Sequence, residues 1–219
     1  MVLMIEQVLD RISESPQAWN ILRRVVEDGF RGEKEVIARE LDPWREVGRR
    51  AFLDFGCGTG EFAPCFPTAY YTGVDIATHY LRFASHAHAG QFAVMSGDAL
   101  GLAAARFDAA LVLGVFHHMP DDLARATAAE LHRVLKPCAT LLVMEDIPPP
   151  DMWNIAGHAM HWLDRGGFIR GDADYRALLE DGFSIVRSYL IRSGICDYQV
   201  YVLERNDTYN TVSASKGML

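Results

Sequence analysis

Five absences narrow what this sequence can encode. It lacks an excess of positive charge: 21 Lys and Arg stand against 29 Asp and Glu, a formal net charge of −8. Nucleic-acid binding rests on clustered cations that displace counterions, so the balance argues against that partner class. Only Arg23-Arg24 and Arg49-Arg50 form tight basic pairs. Cysteine is sparse. The four residues at 57, 65, 138 and 196 make no C-x-x-C pair, which predicts reduced thiols, a cytoplasmic setting and no structural zinc. No apolar run approaches a membrane span, so no stable membrane insertion is expected. The N-terminus carries Glu6 and Asp10 where a secretory signal needs a basic and then an apolar stretch. A Pro/Gly/Ser-rich linker is also missing, which favours one domain with terminal elaborations. What is present is ample apolar material, half of all residues, enough for a sizeable core.

Periodicity divides the chain. Residues 3–28 read as helix, with Ile5, Val8, Leu9 and Ile12 at helical spacing, a break at Ser13–Pro16, and a second run through Trp19, Leu22, Val26 and Phe30. A further helix is predicted over 33–41. From Ala51 the pattern becomes short apolar strands at 51–55, 70–75, 92–95, 107–113 and 140–145. Helices are predicted over 78–89 and 121–135, with one or two helical turns between the first two strands. Near-continuous apolar strands alternating with helices indicate an α/β fold, a parallel sheet covered on both faces. A helix over 174–181 precedes two β-rich runs, 183–191 and 198–204. The turn-rich joint between them predicts an antiparallel hairpin. The polar stretch 206–219 reads as a frayed tail.

The chemical signal sits after the first strand. Asp54-Phe55-Gly56-Cys57-Gly58-Thr59-Gly60 places glycines at G-x-G-x-G spacing. A strand entering such a loop and then a helix aims backbone N–H groups at a ligand. The dinucleotide fingerprint needs its third glycine or alanine one residue later, where this chain has Glu61. Asp54 and Glu61 would also repel a pyrophosphate and favour a cationic ligand. S-adenosylmethionine, with a sulfonium, an ammonium and no phosphate, satisfies both conditions.

This loop resembles the first motif of class I S-adenosylmethionine-dependent methyltransferases, and further matches follow in order across residues 52–146. Gly73-Val74-Asp75 ends the second strand with an acid, as the family does to hold the ribose hydroxyls; Ile76 follows. Gly97-Asp98-Ala99 is similar to the motif that meets the adenine amino group. Phe107–Val115, including Gly114, and then His117-His118-Met119-Pro120-Asp121 resemble the fourth strand and its loop. Glu130–Pro137 resembles the helix end before strand five, although Pro137-Cys138-Ala139 departs from the family's Pro-Gly-Gly. The resemblance extends to the branch that includes ubiquinone/menaquinone-biosynthesis and related small-molecule methyltransferases. It implies a Rossmann-like, seven-stranded, mostly parallel sheet with a C-terminal antiparallel hairpin. It also implies an N-terminal helical cap over 1–49, a methyltransferase domain over 50–205, and an acceptor lid at about 147–172. The expected cofactor is S-adenosyl-L-methionine, held by Asp54, Gly56, Cys57, Gly58, Gly60, Asp75, Ile76, Asp98, Ala99 and Gly114. The expected partner is a small-molecule acceptor, without nucleic acid; the oligomeric state is left open.

On the acceptor side the catalytic candidates are His117 and His118, at the edge of the sheet's crevice, where one imidazole can remove a proton near neutral pH. Shaping the pocket is the alternative role. Phe116, Glu145, Trp153, His158, His161 and Trp162 are expected to line the substrate pocket. His158 and His161, three apart on a predicted helix, share a face; the spacing is too unspecific for a metal, and none is assigned. The Trp and Met residues of the lid are expected to pack on the sheet. Arg165 or Arg170 is placed to meet an anionic group. Trp19, Arg23 and Phe30 are candidates for a cover over the cofactor. The competing reading is a cofactor-binding partner or regulatory subunit without transferase activity; a nicotinamide dehydrogenase and a protein methyltransferase stand behind it.

Overall fold

The computed structural model describes residues 14–163 and 167–206. The expected helix before residue 14 and the polar tail after 206 lie outside them, as does Arg165.

Helix α1 (Pro16–Val26) begins where Ser15 accepts from the Ala18 N–H and Pro16 occupies the first turn, a position where a missing N–H costs nothing. Asp28, Gly29 and Phe30 all take positive φ, an abrupt turn into α2 (Arg31–Glu40). The sheet then builds from β1 (Phe52–Phe55), β2 (Tyr71–Asp75), β3 (Gln91–Val94), β4 (Phe107–Leu113) and β5 (Leu135–Ile147). Helix α3 (Thr78–Ala87) lies between β2 and β3, and α4 (Asp121–Val134) between β4 and β5. Helices α5 (Ile155–Leu163) and α6 (Asp172–Leu179) precede β6 (Phe183–Ser193) and β7 (Cys196–Arg205).

The seven strands are ordered β3-β2-β1-β4-β5-β7-β6. The first five are parallel, and β7 inserts antiparallel between β5 and β6. This is the Rossmann-like sheet with a terminal hairpin that the sequence predicts. Side chains alternate across it. Leu53, Phe55, Val112, Val143 and Tyr201 pack on one face with Leu131, Tyr175 and Leu179 of α4 and α6. Phe52, Leu111, Leu113, Met144, Tyr198 and Val200 pack on the other with Phe30, Val36, Ile37 and Leu41.

Two local expectations differ. The predicted helical turns between β1 and β2 are two 3-10 turns, Ala63–Cys65 and Thr68–Tyr70, because Pro64 and Pro67 each remove an N–H that an α-helix would need. Strand β5 starts at Leu135, pairing with Phe107, five residues before the apolar run. Within it Cys138 takes φ +58, the conformation that a glycine of the family pattern adopts at less cost. Among the described residues no helix is long and apolar enough to cross a membrane.

Candidate cofactor and acceptor site

The glycine loop is fixed to β2. Gly56 N–H and Cys57 N–H both donate to the Val74 carbonyl, at 2.8 and 3.1 Å. Gly56 sits at φ +75, and a Cβ there would lie 2.3 Å from a Val115 methyl, so both backbone sterics and packing require glycine. Gly58 also has positive φ but faces open space. Its N–H donates to Asp75 Oδ2 at 2.8 Å, while Ala77 N–H donates to Oδ1 at 2.7 Å. Asp75 is thereby oriented at the end of β2, and a carboxylate has acceptor sites beyond these two.

Asp54 points to the face carrying Leu111 and Leu113. It is buried and accepts from the Tyr71 hydroxyl at 2.6 Å. Burial, with the charge of Asp75 adding, pushes its carboxyl up to about 7. Burial likewise pushes the Cys57 thiol far above the ordinary range, so this sulfur is an inert wall.

Helix α1 crosses above the loop. Asp54, Gly56, Cys57 and Gly58 line a cleft whose far wall is Trp19, Asn20 and Arg23, with Phe30 and Leu113 deeper in. Thr59 donates to Asn20 Oδ1 at 2.5 Å. Arg24 donates to Glu61 at 2.8 Å, and Lys34 of α2 does so at 2.9 Å. The argument that Glu61 attracts a cationic ligand therefore needs correction: its buried charge is neutralised by two cations of the N-terminal helices. Gly60 takes φ +75 and lets the loop pack on Ala84 of α3. The remaining expected cofactor residues sit on the open C-terminal rim of the sheet. Ile76 is 72% exposed, an apolar side chain left in the open beside Asp75. Asp98 accepts from Ser96 Oγ, and the turn carrying Asp98 and Ala99 is held by Glu130, which accepts from Leu100 N–H at 2.7 Å. Gly114 takes φ +63 at the end of β4.

The cleft holds about 50 Å³. Ligand pockets run from about 300 Å³ upward, so this cleft is smaller than a whole nucleoside site. The donor groups suit such a ligand: a glycine cradle, an oriented rim carboxylate and an exposed apolar surface beside it. Among the described residues, none of those in α1 is fully buried, and the left-handed turn at 28–30 separates it from α2, whose Val36 and Ile37 are core.

On the acceptor side, Glu145 at the end of β5 is fully buried. It accepts from the N–H groups of Val115, Phe116 and His117 at 3.1, 2.9 and 3.3 Å and meets His117 Nδ1 at 2.7 Å. His117 is buried, its ring 4.0 Å from that of exposed His118. Phe116 is a core residue at 0% exposure and does not line a pocket. Arg170 is committed to the same loop. It donates to the Phe116 and Met119 carbonyls at 2.8 and 2.7 Å and to Asp121 at 2.6 Å, so it staples the loop where an anion-binding role was expected. Trp153 and Trp162 are 87% and 63% exposed and do not pack on the sheet. His158 turns to the Asp151 carbonyl at 3.1 Å, whereas His161 Nδ1 meets Asp146 at 2.6 Å.

Some groups escape a sequence reading. Arg23 donates to Glu27 at 2.5 Å, and Tyr198 donates to the same carboxylate at 2.7 Å. Glu33, fully buried beside them, accepts from Ser193. Apart from the i,i+4 pair Arg23–Glu27, no local spacing announces the meeting of these side chains.

Residues 53–143 match the family model described as a methyltransferase domain. A ubiquinone/menaquinone biosynthesis C-methyltransferase from Desulfotalea psychrophila is 30% identical over 152 residues, 66% of this chain and 59% of that protein. A tRNA (carboxymethyluridine(34)-5-O)-methyltransferase from Arabidopsis thaliana is 34% identical over 94 residues, 42% of this chain and 22% of that protein. The chain thus spans less than two thirds of the length of these curated relatives. Among solved structures, magnesium protoporphyrin IX methyltransferase from Synechocystis PCC 6803 with bound SAH aligns with a TM-score of 0.63 at 19% identity, covering 85% of this chain and 88% of that one. Residues 53–143 thus resemble a methyltransferase domain, and the strand order gives the chain the fold of methyltransferases of known structure.

Proposed function

We propose that the protein binds S-adenosylmethionine and transfers its methyl group to an O, N or C atom of a small-molecule acceptor. The observation that carries this reading is the left-handed glycine loop 56–60, fastened to Asp75 at the sheet rim and covered by α1. The cofactor supplies a methyl on a sulfonium, already activated for transfer. The chain then has to bind, align and exclude water, and alignment is the larger contribution. Gly56 and Gly58 let the backbone come close. Asp75 takes the ribose hydroxyls, Ile76 and Asp98 flank the adenine, and Trp19 and Arg23 close the cleft from α1. Glu145 and His117 hold the loop 115–117 against β5, a positioning role. The segment 147–172 covers the acceptor, and its exposed Trp153 and Trp162 favour one with an apolar part.

The similarity to a tRNA methyltransferase supports a nucleic-acid acceptor as the second reading, against which stands the net charge of −8. A non-catalytic cofactor-binding subunit is the third. Calorimetry with S-adenosylhomocysteine tests the first step, and Asp75→Ala is expected to weaken binding at least tenfold. Absence of binding by the parent protein overturns the proposal. Radiolabelled methyl transfer to small molecules, tRNA and protein fractions separates the three readings, and no transfer to any of them favours the third.

A further inference from the structure

The end of α1, the start of α2 and the terminal hairpin meet around one hydroxyl. Ser193 Oγ lies 2.8 Å from the Glu27 carbonyl and in hydrogen-bond contact with Glu33 Oε2. It also accepts from Gly32 N–H at 3.3 Å. A serine hydroxyl has one proton to donate and two lone pairs. An ionised Glu33 offers no proton, so one of two buried acceptors, its carboxylate or the Glu27 carbonyl, would go without a donor. The other carboxyl oxygen, Glu33 Oε1, is buried with no hydrogen-bond partner. A charge left there carries a heavy desolvation penalty, whereas a neutral acid in the same place carries a small one. The neighbouring cations are already engaged. Glu27 takes Arg23 through two hydrogen bonds, at 2.5 and 3.0 Å, Lys34 goes to Glu61, and Arg31 goes to Asp28.

We propose that Glu33 is a proton-controlled latch on the cover of the cleft. As a neutral acid it donates to Ser193, Ser193 donates to the Glu27 carbonyl, and loss of the proton loosens the end of α1. The effect on the cofactor rests on the S-adenosylmethionine reading above; the latch itself does not. Ionisation sets a second negative charge beside Glu27 and removes the donor that ties α2 to Ser193. The joint beside it is a strained hinge, since Asp28, Gly29 and Phe30 all have positive φ. Arg23 and Phe30, before and after that hinge, both line the cleft, the guanidinium 5.0 Å from the ring centroid. A shift of the hinge therefore moves the cleft wall.

The titratable and charged groups facing Glu33 are Arg23 of α1, Glu27 at its end, and Cys196 and Tyr198 of β7. Burial pushes the Cys196 thiol up to about 12 and the Tyr198 hydroxyl well above its ordinary value, so both stay neutral through the range that matters. Burial, reinforced by Glu27, pushes Glu33 up to about 8. The latch is closed in acid and opens as pH rises through that region. The first experiment uses no ligand. NMR between pH 5 and 9.5 follows Glu33 through carboxyl-labelled glutamate and Trp19, on the cleft wall, through 5-fluorotryptophan. The signals are assigned by Glu33→Gln and Trp19→Phe. Glu33 is expected to titrate above about pH 7, and the Trp19 signal to move with the same midpoint. Glu33→Gln should abolish that Trp19 transition, whereas Asp54→Asn, which removes the other titrating acid of the wall, should leave it. Glu27→Gln should lower the Glu33 midpoint by about one unit or more, a check that stands even where Glu33→Gln does not fold. A Glu33 midpoint below pH 6, or a Trp19 transition that survives Glu33→Gln, overturns the latch. Calorimetry with S-adenosylhomocysteine reads the effect on the cleft. At pH 9 the Glu33→Gln protein should bind about threefold or more tightly than the parent, with equal affinities at pH 6.5. Equal affinities at both pH values overturn the link to the cleft. Absence of binding by both proteins overturns instead the cofactor reading, while the NMR titration decides the latch.

Discussion

At the scale of single residues, the glycine loop is decided by sterics that leave almost no alternative. Gly56 combines φ +75 with a site where a Cβ would stand 2.3 Å from Val115, on the loop that Glu145 holds. Gly56→Ala must either strain the backbone or push Val115 out of its hydrogen bond to Glu145. We expect a destabilisation of roughly 2 kcal/mol. Loss of S-adenosylhomocysteine binding should exceed what that destabilisation explains. Thermal melts and calorimetry on one preparation check this, and a variant that melts and binds normally refutes it. The glycine spacing was legible in the sequence because positive φ is a backbone demand that few residues meet. The roles of Glu61, Arg170 and Phe116 were not, because each is set by partners distant in sequence: Arg24 and Lys34, the Phe116 and Met119 carbonyls, and the core under α4.

At the scale of elements, the terminal hairpin fastens both covers of the site. Ile195 N–H donates to the Val26 carbonyl at the end of α1, at 2.9 Å. The carbonyl of the same residue accepts from Asn154, which precedes α5, at 2.8 Å. Gly194 makes the first contact possible, since a Cβ there would lie 2.1 Å from Val26 O and the residue has φ +59. Gly194→Ala should therefore unseat the end of α1. The amides of residues 17–26 should then exchange faster by tenfold or more in hydrogen-exchange mass spectrometry, with those of β1 and β4 unchanged. Unaltered exchange in α1 would show that its ion pair from Arg24 to Glu61 suffices to hold it. The sequence predicted the hairpin and an N-terminal cover separately. Their junction is a product of β7 inserting between β5 and β6, which carries the hairpin tip to the end of α1.

At the scale of the whole molecule, two buried acids set the pH response. Burial pushes Asp54 up to about 7, and burial with the adjacent Glu27 pushes Glu33 up to about 8. Both hold their protons more tightly folded than unfolded, so the native state binds more protons between about pH 4 and pH 8. Stability is then full below the ordinary carboxylate range and declines as pH rises through that window. Paired surface acids act in the opposite sense. Hydrogen bonds and ion pairs hold Glu40 and Glu130 below their ordinary values, so their contribution is lost as pH falls below about 4. The melting temperature should peak in the mildly acidic range and fall by about 5 °C or more toward pH 8.5, equivalent to roughly 2 kcal/mol. The double variant Asp54→Asn, Glu33→Gln should flatten that decline. A melting temperature that rises from pH 5 to 8.5 contradicts the assignment.

The sequence by itself determined the layered α/β class, the parallel strands, the hairpin and the donor-binding loop. Each of these is written in local physics: period-two and helical burial, glycines at positive φ, and prolines where an N–H is dispensable. Only the tertiary structure decided which acid at the end of β5 meets which histidine. Glu145 and Asp146 are neighbours in sequence, but the pleat of β5 sends them to opposite faces, one to His117 beside Tyr175 and the other to His161 across from Tyr198. The opening of the site above the second face depends on how the sheet and α1 pack together, and no run of local residues encodes that.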